Sequence, residues 1–252
     1  AALVSFNPKD YNKLRKINIE GTANIVNLSI ENSIKKLCFV SSIAAVGKSI
    51  HKKPINETNE WDIEKSNYGY AISKYGAEIE VWRASQEGIP VIIVNPGVIL
   101  GGGFWKNGSG KIFDKIYKGF KYYSEGITGY VSVNDVVKAM QLLMKSEIQN
   151  ERFILVAENN SFKEVFTQIA ANFNKNKPSV KVTKLMSEIG WRVEKIKSFL
   201  INKPPLLTQQ SSKSIHQKRY FSSKKIKNTL NFEFNPISTT IEEVCKFYMK
   251  DL

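Results

Sequence analysis

Two short apolar segments without polar alternation place the strongest constraint on the fold. One is the strand Lys36–Ser41, with Leu-Cys-Phe-Val at its centre, and the other is Pro90–Val94. A helical pattern, Tyr70–Gln86, lies between them and is followed by Gly88 as a C-cap. Strands that are apolar throughout are buried on both faces, which is typical of parallel strands covered by helices. The sequence therefore predicts an α/β fold with a doubly wound parallel sheet.

The remaining pattern continues this alternation and then changes to helices and loops from about Pro178. We predict further helices at Tyr11–Asn32, Lys111–Phe120, Ser132–Lys145, Ser161–Phe173 and Pro236–Met249, and a strand at Arg152–Val156. The first helix has the apolar positions Leu14, Ile17, Ile25, Leu28 and Ile30. The helix Ser132–Lys145 begins with a capping box of Ser132 and Asp135 and has an apolar face of Val133, Val136, Val137, Met140 and Met144.

Ligands of parallel sheets bind outside the carboxyl ends of the strands. Ala1–Ala2, Ser41–Ser42 and Asn95–Gly97 each end or follow a predicted strand, so we expect them along one rim. The glycine-rich stretch Val98–Gly110 comes next. Because Ser109 stands where a phosphate-binding loop carries lysine, we interpret this stretch as a mobile loop over the rim.

Tyr70 and Lys74 lie four residues apart, so on a helix they project from one face. A phenol has a pKa of about 10, and a neighbouring ammonium lowers it. With a serine hydroxyl from the end of the first strand, the pair could pass a proton to or from an oxygen while hydride moves at the attached carbon. The spacing alone is weak evidence, because Tyr117 and Lys121 repeat it. An exposed helical pair remains the alternative for Tyr70 and Lys74.

The charge distribution leaves several partners open. The formal net charge is +14, and residues 195–232 contain nine Lys or Arg and no Asp or Glu. A nucleic acid, a membrane surface, a phosphate-bearing ligand or a solvated lysine-rich face would each fit. Since only five of the 37 basic residues are arginine, the usual reader of phosphates and bases, we expect no nucleic-acid partner.

Several other classes of protein are disfavoured. No apolar run reaches the roughly 18 residues of a membrane span, so no membrane partner is expected. Two cysteines, Cys38 and Cys245, form no disulfide framework, and a reduced cytoplasmic setting is expected. His51 and His216 have no partners at metal-ligand spacing, so no metal is expected.

Five short segments occur in a characteristic order over about the first 160 residues: Asn18–Thr22, Phe39–Gly47, Tyr70–Lys74 with Ala77–Glu78, Asn95–Gly101 and Gly129–Val136. In this order they resemble the extended short-chain dehydrogenase/reductase family, also called the NAD-dependent epimerase/dehydratase family. The segments are most similar to those of the family's dihydroflavonol reductase and hydroxysteroid dehydrogenase members. The resemblance implies a Rossmann-like sheet in residues 1–160. A small, mostly helical substrate-binding region would follow in residues 161–252, with a contribution from about 98–130.

The resemblance also implies roles for individual residues. Tyr70 would be the proton donor or acceptor, Ser42 would hold the reacting oxygen, and Lys74 would bind the nicotinamide ribose and lower the pKa of Tyr70. Further implied contacts of the NAD or NADP cofactor are Ala1, Ala2, Ser41, Pro96, Gly97 and Val98, and implied substrate contacts are Ile43, Ala44 and Asn95. The resemblance leaves a homodimer open as the assembly.

Three functions remain as hypotheses. A dehydratase of this family carries an acid and a base directly after the catalytic hydroxyl, and Ile43 and Ala44 cannot exchange protons. The first hypothesis is therefore a reductase or dehydrogenase acting on a small carbonyl or alcohol, and the second a nucleotide-sugar 4-epimerase. The third is a non-catalytic relative that senses dinucleotides or binds RNA.

The family's glycine-rich turn, which seats the pyrophosphate, would precede Ala1. Ala1–Val4 itself looks like the end of a strand. We expect an N-terminally incomplete copy of an ordinary enzyme, the alternative being a product that cannot hold the dinucleotide. The residue that would select NAD or NADP lies in the same missing part.

Overall fold

A computed structural model describes residues 2–49, 53–62, 69–201, 205 and 207–252. In chain order its strands are β1 (Leu37–Val40), β2 (Val91–Pro96), β3 (Val98–Leu100), β4 (Tyr122–Tyr123), β5 (Ile127–Ser132), β6 (Glu151–Leu155), β7 (Glu158–Ser161) and β8 (Val180–Lys181). Its helices are α1 (Tyr11–Leu14), α2 (Gly21–Glu31), α3 (Gly69–Gln86), α4 (Gly110–Tyr117), α5 (Val133–Lys145), α6 (Phe162–Asn172), α7 (Lys184–Ile201), α8 (Gln209–Ser214), α9 (Lys224–Leu230) and α10 (Ile237–Lys250). Short 3₁₀ turns lie at Pro8–Asp10 and Ile43–Ala45, and a π-helical stretch at Arg15–Glu20 joins α1 to α2.

The main sheet has the order β1–β2–β6, and both pairings are parallel. Every residue of β2 is buried, because its alternate side chains enter two different cores. Val91 and Ile93 pack with Val26, Val81 and Ala84 of α2 and α3. Ile92 and Val94 pack on the other face, in a core that includes residues of α5 and α9. Helices thus cover both faces of a parallel sheet, and the predicted α/β fold is confirmed.

A second sheet was not foreseen from the sequence. It has the order β3–β5–β7, with β3 parallel and β7 antiparallel to β5, and a two-stranded parallel pair joins β4 to β8. The prediction that Val98–Gly110 is wholly a loop is wrong at its start, where β3 lies. Gly97 joins β2 to β3, and an added Cβ there would collide with the carbonyl oxygen of Gly129. This close backbone approach explains the glycine.

The second sheet carries a core of its own. Leu100 and Tyr130 pack with Phe113 of α4, Ile169 of α6 and Ile241 of α10, all fully buried. The C-terminal helix α10 therefore packs on strands that lie between β2 and β6 in the chain. The division of the chain at residue 160 stays a prediction.

Helix positions were predicted better than helix orientations. The stretch Tyr11–Asn32 is helical almost throughout, but Ile17, Ile25 and Leu28 are 45%, 55% and 53% exposed. In α5, Ser132 caps through the N–H of Asn134, so the predicted capping box with Asp135 is wrong. The carboxylate of Asp135 instead accepts hydrogen bonds from Asn235, at 2.7 and 3.0 Å.

The apolar face predicted for α5 is also partly wrong. Val136 is buried as expected, together with Ala139 and Leu143, whereas Val133, Val137 and Met144 are exposed. None of the described helices is long and apolar enough to span a bilayer.

Candidate active site

The carboxyl ends of β1 and β2 lie side by side, as expected. The N–H of Ser41 donates to the carbonyl of Val94 at 2.8 Å, and Nδ2 of Asn95 donates to the carbonyl of Ser42 at 3.0 Å. The third predicted stretch is different. Ala1 lies outside the described residues, Ala2 is exposed, and the expected strand end is wrong, because residues 2–7 form no strand with the described part of the chain.

Ser42 is held at the start of the turn that leaves β1. Its backbone is extended, with φ −162° and ψ 152°, and its Oγ accepts the N–H of Ala44 at 3.1 Å. A hydroxyl that accepts one hydrogen bond still has its own hydrogen to donate. Ser42 is half-buried and can therefore offer that hydrogen to an oxygen placed at the rim.

Lys74 lies one helical turn after Tyr70 in α3, and α3 packs against the turn that Ser42 begins. The Lys74 side chain is only 3% exposed. Its Nζ donates to the carbonyl of Val40 at 2.9 Å and lies 4.5 Å from the centre of the Phe39 ring. An ammonium has three hydrogens, so this contact leaves donors for a further acceptor.

Burial lowers the pKa of Lys74 to about 8, and the nearby carboxylate of Glu78 opposes this shift. The ammonium is thus retained in the fold close to neutral pH and lost in mildly alkaline solution. Tyr70 is half-buried in the first turn of α3, with its ring centre 6.2 Å from that of Phe6.

A polar chain fixes the first turn of α3. Ser73 Oγ donates to the carbonyl of Tyr70 at 2.9 Å and accepts Nδ2 of Asn18 at 2.9 Å. The same amide of Asn18 exchanges hydrogen bonds with the backbone of Leu3, at 2.8 and 2.9 Å. Asn18 lies in the π-helical stretch, and π-helical turns frequently occur at functional sites. These hydrogen bonds connect the backbone of Tyr70 to the π-helical stretch and to the N-terminal segment that contains Leu3.

A second buried network lies beneath Lys74. Glu78 is 1% exposed, and its Oε1 accepts Nδ2 of Asn95 at 2.6 Å. Its Oε2 lies 3.7 Å from the guanidinium of Arg152, which also donates to the carbonyls of Glu57 and Asn59. Burial raises the pKa of Glu78, and hydrogen bonds and the two nearby cations oppose that shift. Because one amide of Asn95 serves both Glu78 and the carbonyl of Ser42, the network reaches the serine directly.

The other predicted contacts are distributed unevenly. Ile43 is buried in a cluster with Val46, Ile55 and Phe221, and Ala44 is half-buried. At the end of β2, Pro96 is buried, whereas Gly97 and Val98 are half-buried. The roles assigned to all these residues, and to Ser42, Tyr70 and Lys74, stay predictions.

Sequence reasoning gave no role to Asn18, Glu78 or Arg152. The signal for Glu78 was present, since it follows Lys74 by one helical turn and is charged on a helix that must cover a sheet. Asn18 and Arg152 could not have been found in this way, because Asn18 reaches the α3 site through Ser73, 55 residues away in sequence, and Arg152 through Glu78, 74 residues away.

Removing the charge of Glu78 should lower the pKa of Lys74 below its value of about 8. In Glu78→Gln the side-chain oxygen can still accept Asn95, but the negative charge that favours the ammonium is lost. Titration of the lysine side chains by NMR measures the shift. Glu80→Gln, on the same helix at a half-buried position that pairs with Arg83, is the matched control. An unchanged Lys74 titration in Glu78→Gln would refute the electrostatic link.

Known proteins resemble this chain in sequence and in fold. A putative dihydroflavonol 4-reductase of Synechocystis sp. is 25% identical over 256 residues, covering 98% of this chain and 74% of the relative. The crystal structure of gox2253 matches with a TM-score of 0.82 and 25% identity, covering 100% of this chain and 77% of the other. A family model described as Male sterility protein, NAD_binding_4, matches residues 1–153.

The chain belongs to the extended short-chain dehydrogenase/reductase family. It is an NAD(P)-dependent enzyme of that family, as the resemblance implied. A UDP-glucose 4-epimerase of Thermotoga maritima, solved with UDP-glucose, shares the fold with a TM-score of 0.78 at 20% identity, covering 100% of this chain and 76% of the other. Some curated relatives are matched over less of their length. This chain spans 63% of cinnamoyl-CoA reductase 1 of Petunia hybrida, for example.

The rim residues fit the nicotinamide end of the family's cofactor. Asn95 Oδ1 is buried without a hydrogen-bond partner among the described residues, whereas the buried hydroxyl of Ser41 faces the carboxylate of Glu78 and opposes the rise in its pKa. Lys74 has donors to spare, and the half-buried residues Gly97 and Val98 lie where β2 passes into β3. Buried polar atoms of this kind are costly unless a ligand or water satisfies them. A polar ligand at this rim would supply such partners.

Proposed function

We propose that this protein reduces a ketone, or oxidises the corresponding secondary alcohol, with Tyr70 transferring the proton. The observation that carries the proposal is the buried ammonium of Lys74, one helical turn after Tyr70, with a pKa lowered to about 8. A positive charge in a site of low dielectric stabilises a phenolate more strongly than it would in water. That is what a tyrosine needs in order to act as an acid near neutral pH.

Each residue then has a distinct task. Ser42 donates its free hydrogen to the reacting oxygen, and its capping contact with Ala44 fixes the direction of the hydroxyl. Tyr70 gives a proton to that oxygen during reduction and takes it back during oxidation. The donors that Lys74 has left, together with Ser41, Gly97 and Val98, would hold the nicotinamide portion of NAD(P). When bound, the cofactor supplies or accepts the hydride.

The reaction class follows from what stands beside Ser42. Elimination of water requires an additional acid and base, and Ile43 and Ala44 supply neither. Ile43 is moreover buried among apolar side chains. The names of the curated relatives, dihydroflavonol 4-reductase and cinnamoyl-CoA reductase, support a carbonyl reductase.

A nucleotide-sugar 4-epimerase is the second candidate. It would use the same serine, tyrosine and lysine, and the structural similarity to a UDP-glucose 4-epimerase favours it. The excess of positive charge in residues 195–232 would suit a diphosphate.

Cofactor spectroscopy separates these functions. The protein is expressed with any segment that its gene encodes before Ala1, and is mixed with NADPH or NADH and a panel of flavonoid ketones, CoA thioesters and UDP-glucose. We expect loss of the reduced-nicotinamide absorbance only when a carbonyl substrate is present. Tightly retained NAD with conversion of UDP-glucose would favour the epimerase. Dinucleotide binding without turnover of any substrate would favour the non-catalytic relative.

A further inference from the structure

Helix α7 turns its apolar face away from the protein. Large aliphatic side chains recur along it at intervals of three or four residues, which places them on one face. They are Leu185, Ile189, Val193, Ile196 and Leu200, exposed by 70%, 56%, 56%, 63% and 75%. We call these five residues the α7 stripe. A surface helix normally buries such a face, so this one has the reverse arrangement.

The α7 stripe is exposed because α7 packs on the protein through its other face. Ser187 is 2% exposed, and its Oγ lies 2.8 Å from Nε2 of His216, in the turn that follows α8. Gly190 lies against Leu207, where an added Cβ would be 3.3 Å from a methyl group. Helix α7 thus docks on the region of α8 through small and polar residues. The α7 stripe lies on the opposite side.

Cationic side chains border the stripe. By helical spacing, Arg192 lies along one edge and Lys197 along the other, and both side chains are 57% exposed. They pair with Glu188 and Glu194 at 2.7 and 3.8 Å. The exposed residues Lys184 and Lys195 add further positive charge on the same helix.

We propose that the α7 stripe is a docking surface for an anionic lipid bilayer. The stripe is about 23 Å long, at 1.5 Å per residue. An exposed aliphatic face between basic residues is the arrangement by which a helix lies in the interfacial plane, with its apolar side among the acyl chains and its cations against the headgroups.

Other occupants satisfy these features less well. A nucleic acid would neutralise the cations but leave the aliphatic side chains in water. A second copy of the chain would cover the side chains but bring two helices, each with the exposed cations Lys184, Arg192, Lys195 and Lys197, into one interface. An anionic bilayer accommodates both features, and this proposal does not depend on the reaction proposed above.

Vesicle flotation tests the proposal. The purified protein is mixed with vesicles of phosphatidylcholine alone, or of phosphatidylcholine with phosphatidylserine, at low and high salt. We expect it to float with the anionic vesicles and to be released by salt. The variant Leu185→Ser/Ile196→Ser/Leu200→Ser should bind at least about tenfold more weakly, because the three aliphatic side chains that would be buried in the bilayer are lost. These positions are exposed, so folding should be unaffected.

Val137→Ser, at a 47% exposed position on α5, is the matched control and should float like the wild type. Failure of the wild type to bind anionic vesicles would overturn the proposal. So would equal binding by the triple variant, since the lipid contact would then lie elsewhere. A dimer in light scattering that the triple variant abolishes, without vesicle binding, would instead assign the stripe to a second copy.

Discussion

Tyr70→Phe is expected to lower kcat by about 10²- to 10⁴-fold, the contribution typical of a positioned proton donor. Phenylalanine keeps the ring, its packing near Phe6 and the helical turn, while the hydroxyl alone is lost. The affinity for the dinucleotide should be unchanged, because the other proposed contacts of the cofactor remain. Stopped-flow turnover and fluorescence titration of the cofactor measure the two quantities separately.

Tyr117→Phe is the matched control for this experiment. Tyr117 and Lys121 repeat the spacing of Tyr70 and Lys74, but the ring of Tyr117 packs edge-on against Phe173 at 5.2 Å in the second core. Loss of the Tyr117 hydroxyl in this variant should leave kcat at the wild-type value. Equal activity of Tyr70→Phe and the wild type would remove the catalytic assignment of Tyr70.

The sequence predicted the main sheet well because burial on both faces leaves a clear pattern. The runs around Cys38 and Ile92 are wholly apolar, and both were placed correctly as parallel strands. The second sheet could not be predicted in the same way. Strand β3 has only three residues, and β7 is Glu-Asn-Asn-Ser without an apolar residue, so neither shows the apolar pattern of a buried strand.

The candidate site was predicted in its local parts only. Tyr70 and Lys74 are close because helix geometry makes them so, and the adjacency of Ser42 and Asn95 follows from the register of neighbouring strands. The contacts of Asn18 with Ser73 and of Glu78 with Arg152 depend on how separate elements pack. No spacing rule reports such contacts.

The exposed faces show a further limit of pattern reasoning. Ile25 and Val137 have the helical periodicity of core residues and are nevertheless about half exposed. Amphipathic periodicity indicates a helix, but it does not say whether the protein itself covers the apolar face.

Lys74→Met is expected to lower the rate of carbonyl reduction by about a hundredfold or more, since methionine fills the same space without the charge that stabilises the phenolate. The pH profile gives the more specific signature. In the wild type the rate should decline as pH rises through about 8, where Lys74 loses its proton. The variant should lack this step, and a profile identical to that of the wild type would contradict the role of the ammonium.

The same titration must also appear in the free energy of unfolding. The pKa of Lys74 is about 8 when folded, against an ordinary value of 10.5, so between these pH values the unfolded chain binds more protons. The contribution of this group to the free energy of unfolding therefore rises with pH across that window, by on the order of 3 kcal/mol. Urea denaturation at pH 7.5, 9 and 10.5 should show the wild type gaining stability relative to Lys74→Met as pH rises. If the difference between the two proteins is constant over that range, Lys74 is not buried in its charged form and the electrostatic basis of the proposed site is wrong.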